Sequence, residues 1–180
     1  MKNIKKLSTF FLSIIILIIL IIFDFKDRGN SNEMNRTDKF YEEFLENKSF
    51  EEIKVKFQSN FKNPSFTFPR TEVSNIKIFK NSFLISRLTS KKINEKDIND
   101  LVAFFNNSEN FTWSETTWEL EESEYFLRFY DKNNEEIGKV WLCIEDCGMT
   151  FSKPFSPNMK FGGISKIGKV KLNQLLKSYI

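Results

Sequence analysis

The hydrophobic pattern begins with an uninterrupted apolar run near the N terminus. From Leu7 to Phe23 the chain reads LSTFFLSIIILIILIIF, 17 residues without a charged side chain. Starting at Ile4 gives 20 residues, and at about 1.5 Å per residue this length spans the roughly 30 Å hydrocarbon core of a bilayer. Residues 1–23 are therefore predicted to be a single-pass transmembrane helix that serves as an uncleaved signal anchor.

The flanking residues predict how this segment is oriented and how it ends. Three lysines precede the run, whereas Lys26 and Arg28 follow it, so the positive-inside rule favours a cytoplasmic N terminus and an external C-terminal domain. Residues 24–36 are polar and aperiodic and predict a short stalk. The alternative is a signal peptide whose removal would yield a secreted protein. However, the run is longer than the usual signal core of about 7–15 residues and lacks a nearby A-x-A-like site.

Three later segments have the spacing of amphipathic helices. Residues 37–62 predict a helical hairpin, in which Ser49 and Glu52 form a capping box. Asn94 precedes a second helix whose apolar residues recur at positions i, i+3, i+4 and i+7. The C-terminal segment predicts a third amphipathic helix with an apolar face that includes Leu172 and Leu176.

Between these helices the chain alternates with the period of β-strands. Five strands are predicted, over residues 76–80, 83–88, 111–120, 125–130 and 137–144. Residues 81–82 and 131–134 have turn chemistry. The run at 137–144 carries few charges and predicts a strand buried on both faces. Residues 37–180 are thus predicted to form a single α+β domain, an antiparallel sheet of about five strands with packed helices.

Composition narrows the possible chemistry. The chain has 21 phenylalanines and no histidine, so it predicts an aromatic core and excludes catalysis that depends on imidazole. Removing the three N-terminal lysines from the 27 basic residues leaves 24, equal to the number of acidic residues. A neutral domain does not favour nucleic-acid binding. The abundance of Ile, Lys, Asn and Phe is typical of an AT-rich bacterial genome.

Cys143 and Cys147 are the first candidate site. Residues i and i+4 of a continuous strand lie about 13 Å apart, so a disulfide requires a bend at Glu145-Asp146. In an exported domain such a pair would be expected to oxidise to a structural disulfide. Unpaired buried thiols and thiol-redox catalysis are the alternatives. Zinc binding is disfavoured because histidine is absent, and no metal or cofactor is predicted.

The acidic stretch from Glu109 to Glu136 is the second candidate. It has a net charge of −7, and two of its carboxylates could serve a hydrolase with Trp113 and Trp118 as sugar platforms. The alternative interpretation is a solvated face. The acidic residues of the stretch are Glu109, Glu115, Glu119, Glu121, Glu122, Glu124, Asp131, Glu135 and Glu136.

The connection from Phe151 to Gly163 is the third candidate, with two prolines and two glycines. If Phe155, Met159 and Phe161 point outward, they form an apolar patch for a protein partner. If they point inward, they cap the sheet, an alternative that the heavy phenylalanine content favours.

The sequence as a whole predicts a membrane-anchored, non-enzymatic interaction or structural protein of the bacterial cell envelope. Its specific role and its partner are not readable from these patterns. The alternative is an envelope enzyme, acting either through the Cys143/Cys147 pair or through two carboxylates. No resemblance to a known family contributes to this interpretation.

Overall fold

A computed structural model describes residues 2–28, 49–59, 67–82, 86–112, 122–160 and 163–180. Over these residues the chain is an α+β protein with a five-stranded antiparallel sheet and helices packed against it. The helices are α1 (Lys2–Arg28), α2 (Phe50–Ser59), α3 (Glu95–Phe105), α4 (Pro157–Lys160) and α5 (Lys166–Leu176). The strands are β1 (Asn75–Lys80), β2 (Lys91–Lys92), β3 (Tyr125–Tyr130), β4 (Glu136–Cys143) and β5 (Met149–Lys153).

The spatial order of the strands is β2-β1-β3-β4-β5, and every neighbouring pair is antiparallel. The β3–β4 connection uses the predicted turn at residues 131–134. Its Asp131 side chain accepts hydrogen bonds from the amides of Asn133 and Glu135, each at 2.9 Å. Asn134 adopts a φ of 62°, which asparagine tolerates better than most residues. Local turn chemistry therefore produces this hairpin.

The two faces of the sheet carry different residues. One face packs on α3 and α5 and forms the larger core, which includes Ile76, Phe129 and Leu142. The opposite face carries a smaller aromatic cluster of Phe79, Phe126, Trp141 and Phe151. Strand β4 contributes to both clusters and is buried from Gly138 onward, as its sequence predicts.

Buried side-chain hydrogen bonds join the helices to the rest of the domain. Asn106, at the end of α3, accepts from the amide of Phe68 at 2.8 Å and donates to the carbonyl oxygens of Phe68 and Val102. The Tyr179 hydroxyl donates to Asp97 at 2.6 Å and accepts from the amide of Asn94 at 3.0 Å. The first contact fixes the segment before β1, and the second joins the C terminus to the start of α3.

Several sequence predictions differ from the observed elements. Of the strand that the sequence predicts at 83–88, residues 83–85 lie outside the described residues. The remainder belongs to the 3-10 helix Ser86–Thr89, and the strand β2 follows it. The sequence predicts a connection from Phe151 onward, but Met149–Lys153 is β5, because this segment pairs with β4. Residues 113–120 of the predicted strand 111–120, and residues 37–48 and 60–62 of the predicted hairpin, lie outside the described residues.

The N-terminal segment is helical from Lys2 to Arg28, so the first five residues of the predicted 24–36 stalk continue the helix. Among the residues that the structure describes, no helix is both long and apolar enough to cross a membrane. The side chains of Leu7 and Phe23, the predicted limits of the spanning run, lie outside the described part of α1. The transmembrane assignment therefore stays a prediction.

Candidate functional site

The Cys143/Cys147 pair lies at the β4–β5 turn, where the chain makes the predicted bend. The two residues form a disulfide, and their Cα atoms are 5.6 Å apart, well below the ~13 Å of a continuous strand. Cys143 ends β4 and is 2% exposed, whereas Cys147 is exposed. Gly148 follows with a φ of 62°, a conformation that glycine adopts without steric cost.

The disulfide loop is held by the carboxylate of Glu124, the residue directly before β3. Glu124 accepts hydrogen bonds from the amides of Ile144 and Glu145, each at 3.0 Å, and from Asp146 at 3.3 Å. Three successive amides that converge on one anion form a nest of the kind that binds anions in proteins. Glu124 therefore occupies this anion site and joins β3 to the loop.

Two further contacts join the loop to the C-terminal part of the chain. Lys169 of α5 donates from its Nζ to the carbonyl oxygen of Glu145 at 3.0 Å. The amide of Ile164 donates to the carbonyl oxygen of Gly148 at 2.6 Å. The loop that the disulfide closes is thus bonded by Glu124 and by Lys169 of α5, and the segment before α5 bonds to Gly148, directly after the loop.

These surroundings favour a structural disulfide over a redox centre. A reactive thiol needs nearby positive charge or a helix N terminus to stabilise its thiolate. The four-residue spacing places Glu145 and Asp146 inside the loop, and Glu124 binds the same loop. These carboxylates oppose formation of a thiolate. Two contacts act in the other direction: Lys169 Nζ at the carbonyl oxygen of Glu145, and the Cys147 amide, which donates to Cys143 Sγ at 3.2 Å.

The same carboxylates affect a neighbouring phenol. Burial raises the pKa of Tyr125, and the negative charges of Glu145 and Glu124 raise it further. The Tyr179 pKa is also raised, first by burial and then by the hydrogen bond to Asp97. Both phenols therefore stay protonated and neutral through the physiological pH range, and neither is poised as a general base.

The connection after β5 places its apolar side chains inward. Phe155 is 6% exposed and Met159 is fully buried, while Phe161 lies outside the described residues. Arg70 donates to the carbonyl oxygen of Phe155 at 2.8 Å, and α4 packs on β5. Phe155 and Met159 therefore do not form an exposed patch, which corrects the outward alternative for these two residues.

The described carboxylates of the acidic stretch act separately. Glu124 binds the disulfide loop, Asp131 closes the β3–β4 turn, and Glu136 lies 3.4 Å from Arg128. Within the described part of the chain, no three acidic or cysteine residues come together as a group that could hold a metal ion. Trp113, Trp118, Glu115, Glu119 and Glu121 lie outside the described residues.

The aromatic face of the sheet holds two cations that sequence patterns did not single out. Lys139 is 5% exposed, and its Nζ lies 4.7 Å from the ring centre of Phe126 and 4.4 Å from that of Trp141. Arg128 lies over Phe79 at 5.4 Å. Cation–π contacts of this kind contribute about 0.5–2 kcal/mol. The only sequence feature that could have indicated this buried cation is the single lysine within the apolar run of β4.

A shallow groove of about 380 Å³ lies between α3 and α5. Its lining combines three apolar side chains with a carboxylate, a lysine and three amides, and Lys171 Nζ lies 3.5 Å from Asn110 Oδ1. The lining residues are Asp100, Ala103, Phe104, Asn107, Asn110, Lys171, Gln174 and Leu175. The groove is small and open, and it lies apart from the disulfide loop.

Comparison with family models, with curated proteins and with solved structures produced no match. The chain is therefore assigned to the α+β class.

Proposed function

We propose that this chain is a membrane-tethered, non-enzymatic interaction or structural protein of a bacterial cell envelope. In this proposal α1 anchors the chain with its N terminus in the cytoplasm. The α+β domain then lies outside the cytoplasmic membrane, where it contacts a protein partner or has a structural role.

The apolar surface of α1 is the observation that carries the proposal. Its large apolar side chains between Phe10 and Ile22 are mostly 37–62% exposed, and a contiguous apolar surface of this kind requires a membrane or a partner to cover it. The three lysines before the run and its 17 uncharged residues support the membrane. The exposed side chains are Phe10, Phe11, Leu12, Ile14, Ile15, Ile16, Leu17, Ile18, Ile19, Leu20 and Ile22.

The disulfide supports the proposed side of the membrane. Structural disulfides persist in oxidising compartments and are rare in the cytosol. The Cys143/Cys147 pair is bonded, and Glu124 and Lys169 hold the loop that it closes. This arrangement supports a domain that folds outside the cytoplasm.

The test of anchoring is extraction of the full chain from membranes with alkaline carbonate. We expect the wild-type protein to stay with the membrane pellet. In the I16R/I19R variant it should be released, because each arginine at the centre of a spanning helix costs about 2.5–3.5 kcal/mol. The I16L/I19L variant is the matched control and should stay in the pellet. Release of the wild-type chain by carbonate would contradict the anchor.

Intact mass and cysteine labelling test cleavage and orientation separately. A mass that includes residues 1–23 supports an uncleaved anchor, whereas a shorter chain supports secretion after cleavage. Maleimide tagging of Cys143 and Cys147 after denaturation should require prior reduction. Tagging without reduction would argue against an external domain.

The interaction role has its own test in intact cells. Crosslinking of the full chain should recover a reproducible partner, and failure to do so across several crosslinkers would count against this role. The thiol-redox alternative predicts instead that the disulfide cycles with a potential in the oxidoreductase range. A pair that resists mild reductant while Cys147 is exposed would exclude that alternative.

A further inference from the structure

The edge of the sheet formed by β1 and β2 presents an exposed leucine close to several lysines. Leu88 is 84% exposed, the highest value among the large apolar side chains in the described part of the chain. It belongs to the 3-10 turn Ser86–Thr89, which leads into β2. A leucine with so little contact contributes almost nothing to the core, and it is available for contact with a surface outside the domain.

Hydrogen bonds within the domain fix the position of this turn. Thr89 donates from its hydroxyl to the carbonyl oxygen of Ser86 at 2.8 Å and accepts from the amide of Lys80 at 3.2 Å. After the turn, the amide of Ile93 donates to Ile76 at 2.9 Å, and the Ile93 side chain is fully buried. The turn is therefore joined to β1 on both sides, and Leu88 is held outward by an anchored backbone.

Three exposed lysines lie on the two strands that flank this turn. Lys80 ends β1 beside Thr89, and Lys91 and Lys92 form β2. Lys92 pairs directly opposite Lys77, and like charges in directly opposed positions destabilise a sheet. None of the three exposed lysines forms an ion pair with another described residue. Their charges are thus concentrated at one sheet edge without a described acidic partner.

The turn also lies next to the apolar N-terminal helix, because α1 contacts Ser86–Thr89. The exposed leucine therefore belongs to a turn that lies beside the helix proposed as the anchor. An apolar side chain flanked by lysines is the pattern of an interfacial contact, since the apolar group enters the acyl boundary while the ammonium groups stay among the headgroups.

We propose that Leu88 with Lys80, Lys91 and Lys92, here named the Leu88 patch, docks on the membrane surface and binds anionic lipid headgroups. This inference rests on the proposed membrane anchor and adds an orientation to it. The β1–β2 edge faces the bilayer, and the disulfide loop between β4 and β5 belongs to the opposite edge of the sheet. Charge complementarity selects anionic lipid, because each lysine near such a surface strengthens binding about fivefold.

The test places an environment-sensitive NBD fluorophore at position 88 of the full chain through L88C, with the native disulfide left oxidised. The protein is reconstituted into vesicles of phosphatidylcholine alone, or of phosphatidylcholine and phosphatidylglycerol in equal parts. I167C, at another strongly exposed apolar position (66%) on α5, is the matched control. In the anionic vesicles we expect the label at position 88 to shift to the blue and to be quenched by spin-labelled lipid. The label at 167 should stay water-like.

The lysines are tested in the same system. The K80Q/K91Q/K92Q variant should lose the blue shift in anionic vesicles, since removing three lysines weakens the contact by on the order of 100-fold. High salt should have the same effect, because screening shortens the range of the attraction. A label at position 88 that stays water-like in anionic vesicles would overturn the proposal, and so would a shift of equal size in vesicles of phosphatidylcholine alone.

Carbonate extraction of the same vesicles separates failure of this inference from failure of the anchor. If the chain resists extraction and the label at position 88 is water-like, the Leu88 patch does not contact lipid and the anchor stands. If the chain is extracted, the anchor itself fails, and the Leu88 patch loses its basis with it.

Discussion

In the Glu124→Ala variant, three main-chain amides of the disulfide loop lose their acceptor. The amides of Glu145 and Asp146 belong to exposed residues, so water replaces the carboxylate there. Ile144 is almost fully buried, and leaving a buried donor without a partner costs about 1–3 kcal/mol. We therefore expect the free energy of unfolding to fall by about 2 kcal/mol, with most of the loss coming from the Ile144 amide.

The measurement is urea unfolding of the full chain in detergent, followed by near-ultraviolet circular dichroism. Glu124→Gln should lose less than Glu124→Ala, because its amide oxygen still accepts one hydrogen bond. Glu135→Ala is the matched control at an exposed position where the side chain makes no described hydrogen bond, and it should stay within about 0.5 kcal/mol of the wild type.

The disulfide supplies a second comparison. In a C143S/C147S background the loop is no longer closed covalently, so the amides of residues 144–146 can turn toward water when Glu124 is removed. The loss caused by Glu124→Ala should therefore be smaller there than in the oxidised protein, and the difference measures the coupling of the carboxylate to the disulfide. A Glu124→Ala variant as stable as the wild type in the oxidised form would refute this account of the loop.

Three other predictions concern contacts made at the end of α3, within α5 and by Tyr179 near the C terminus. Asn106→Ala should lower the free energy of unfolding by about 3 kcal/mol in the same urea assay, because the buried amide and carbonyl groups that it bonds lose their partners. Gly168→Ala should cost about 2 kcal/mol, since an added Cβ would overlap the carbonyl oxygen of Asn110. The pKa of Tyr179 is raised in the folded protein. Its neutral hydroxyl therefore contributes fully to stability below the pKa of the unfolded chain, near 10. This contribution is lost as pH rises through the higher pKa of the folded protein. Stability measured from pH 8 upward should therefore fall less in Tyr179→Phe than in the wild type.

The substitutions at Asn106 and Gly168 each have a control on the neighbouring or same helix. Asn99→Ala, at an exposed position of α3, should leave stability within about 0.5 kcal/mol of the wild type. Val170→Ala, at an exposed position of α5, tests whether substitution in that helix is harmful in general. Equal losses in Asn99→Ala and Asn106→Ala would contradict the role given to the buried amide. An identical alkaline profile in wild type and Tyr179→Phe would contradict the pH argument.

Local chemistry in the sequence was sufficient to predict much of the fold. The helix after Asn94, the turn at Asp131 and the strands at 125–130 and 137–144 agree with α3, the β3–β4 hairpin, β3 and β4. These elements depend on periodicity and on turn residues, which act over only a few positions. The Cys143/Cys147 disulfide was also expected, because the bend that it needs falls on Asp146 and Gly148.

Tertiary structure decided the features that depend on distant partners. β5 exists because β4 offers it a pairing edge, and the burial of Phe155 and Met159 depends on how that region packs. Lys139 is buried because two aromatic rings from neighbouring positions of the sheet surround its ammonium group.

The sequence by itself determined the apolar N-terminal run, the amphipathic helices and the absence of histidine, since these depend only on residue type and spacing. Only the folded structure brought Glu124 to the amides of the disulfide loop, which begin twenty residues further along the chain at Ile144. Only the folded structure left Leu88 exposed in a turn that contacts α1. Such contacts arise when the strands pair, because pairing brings together residues whose separation along the chain carries no local signal.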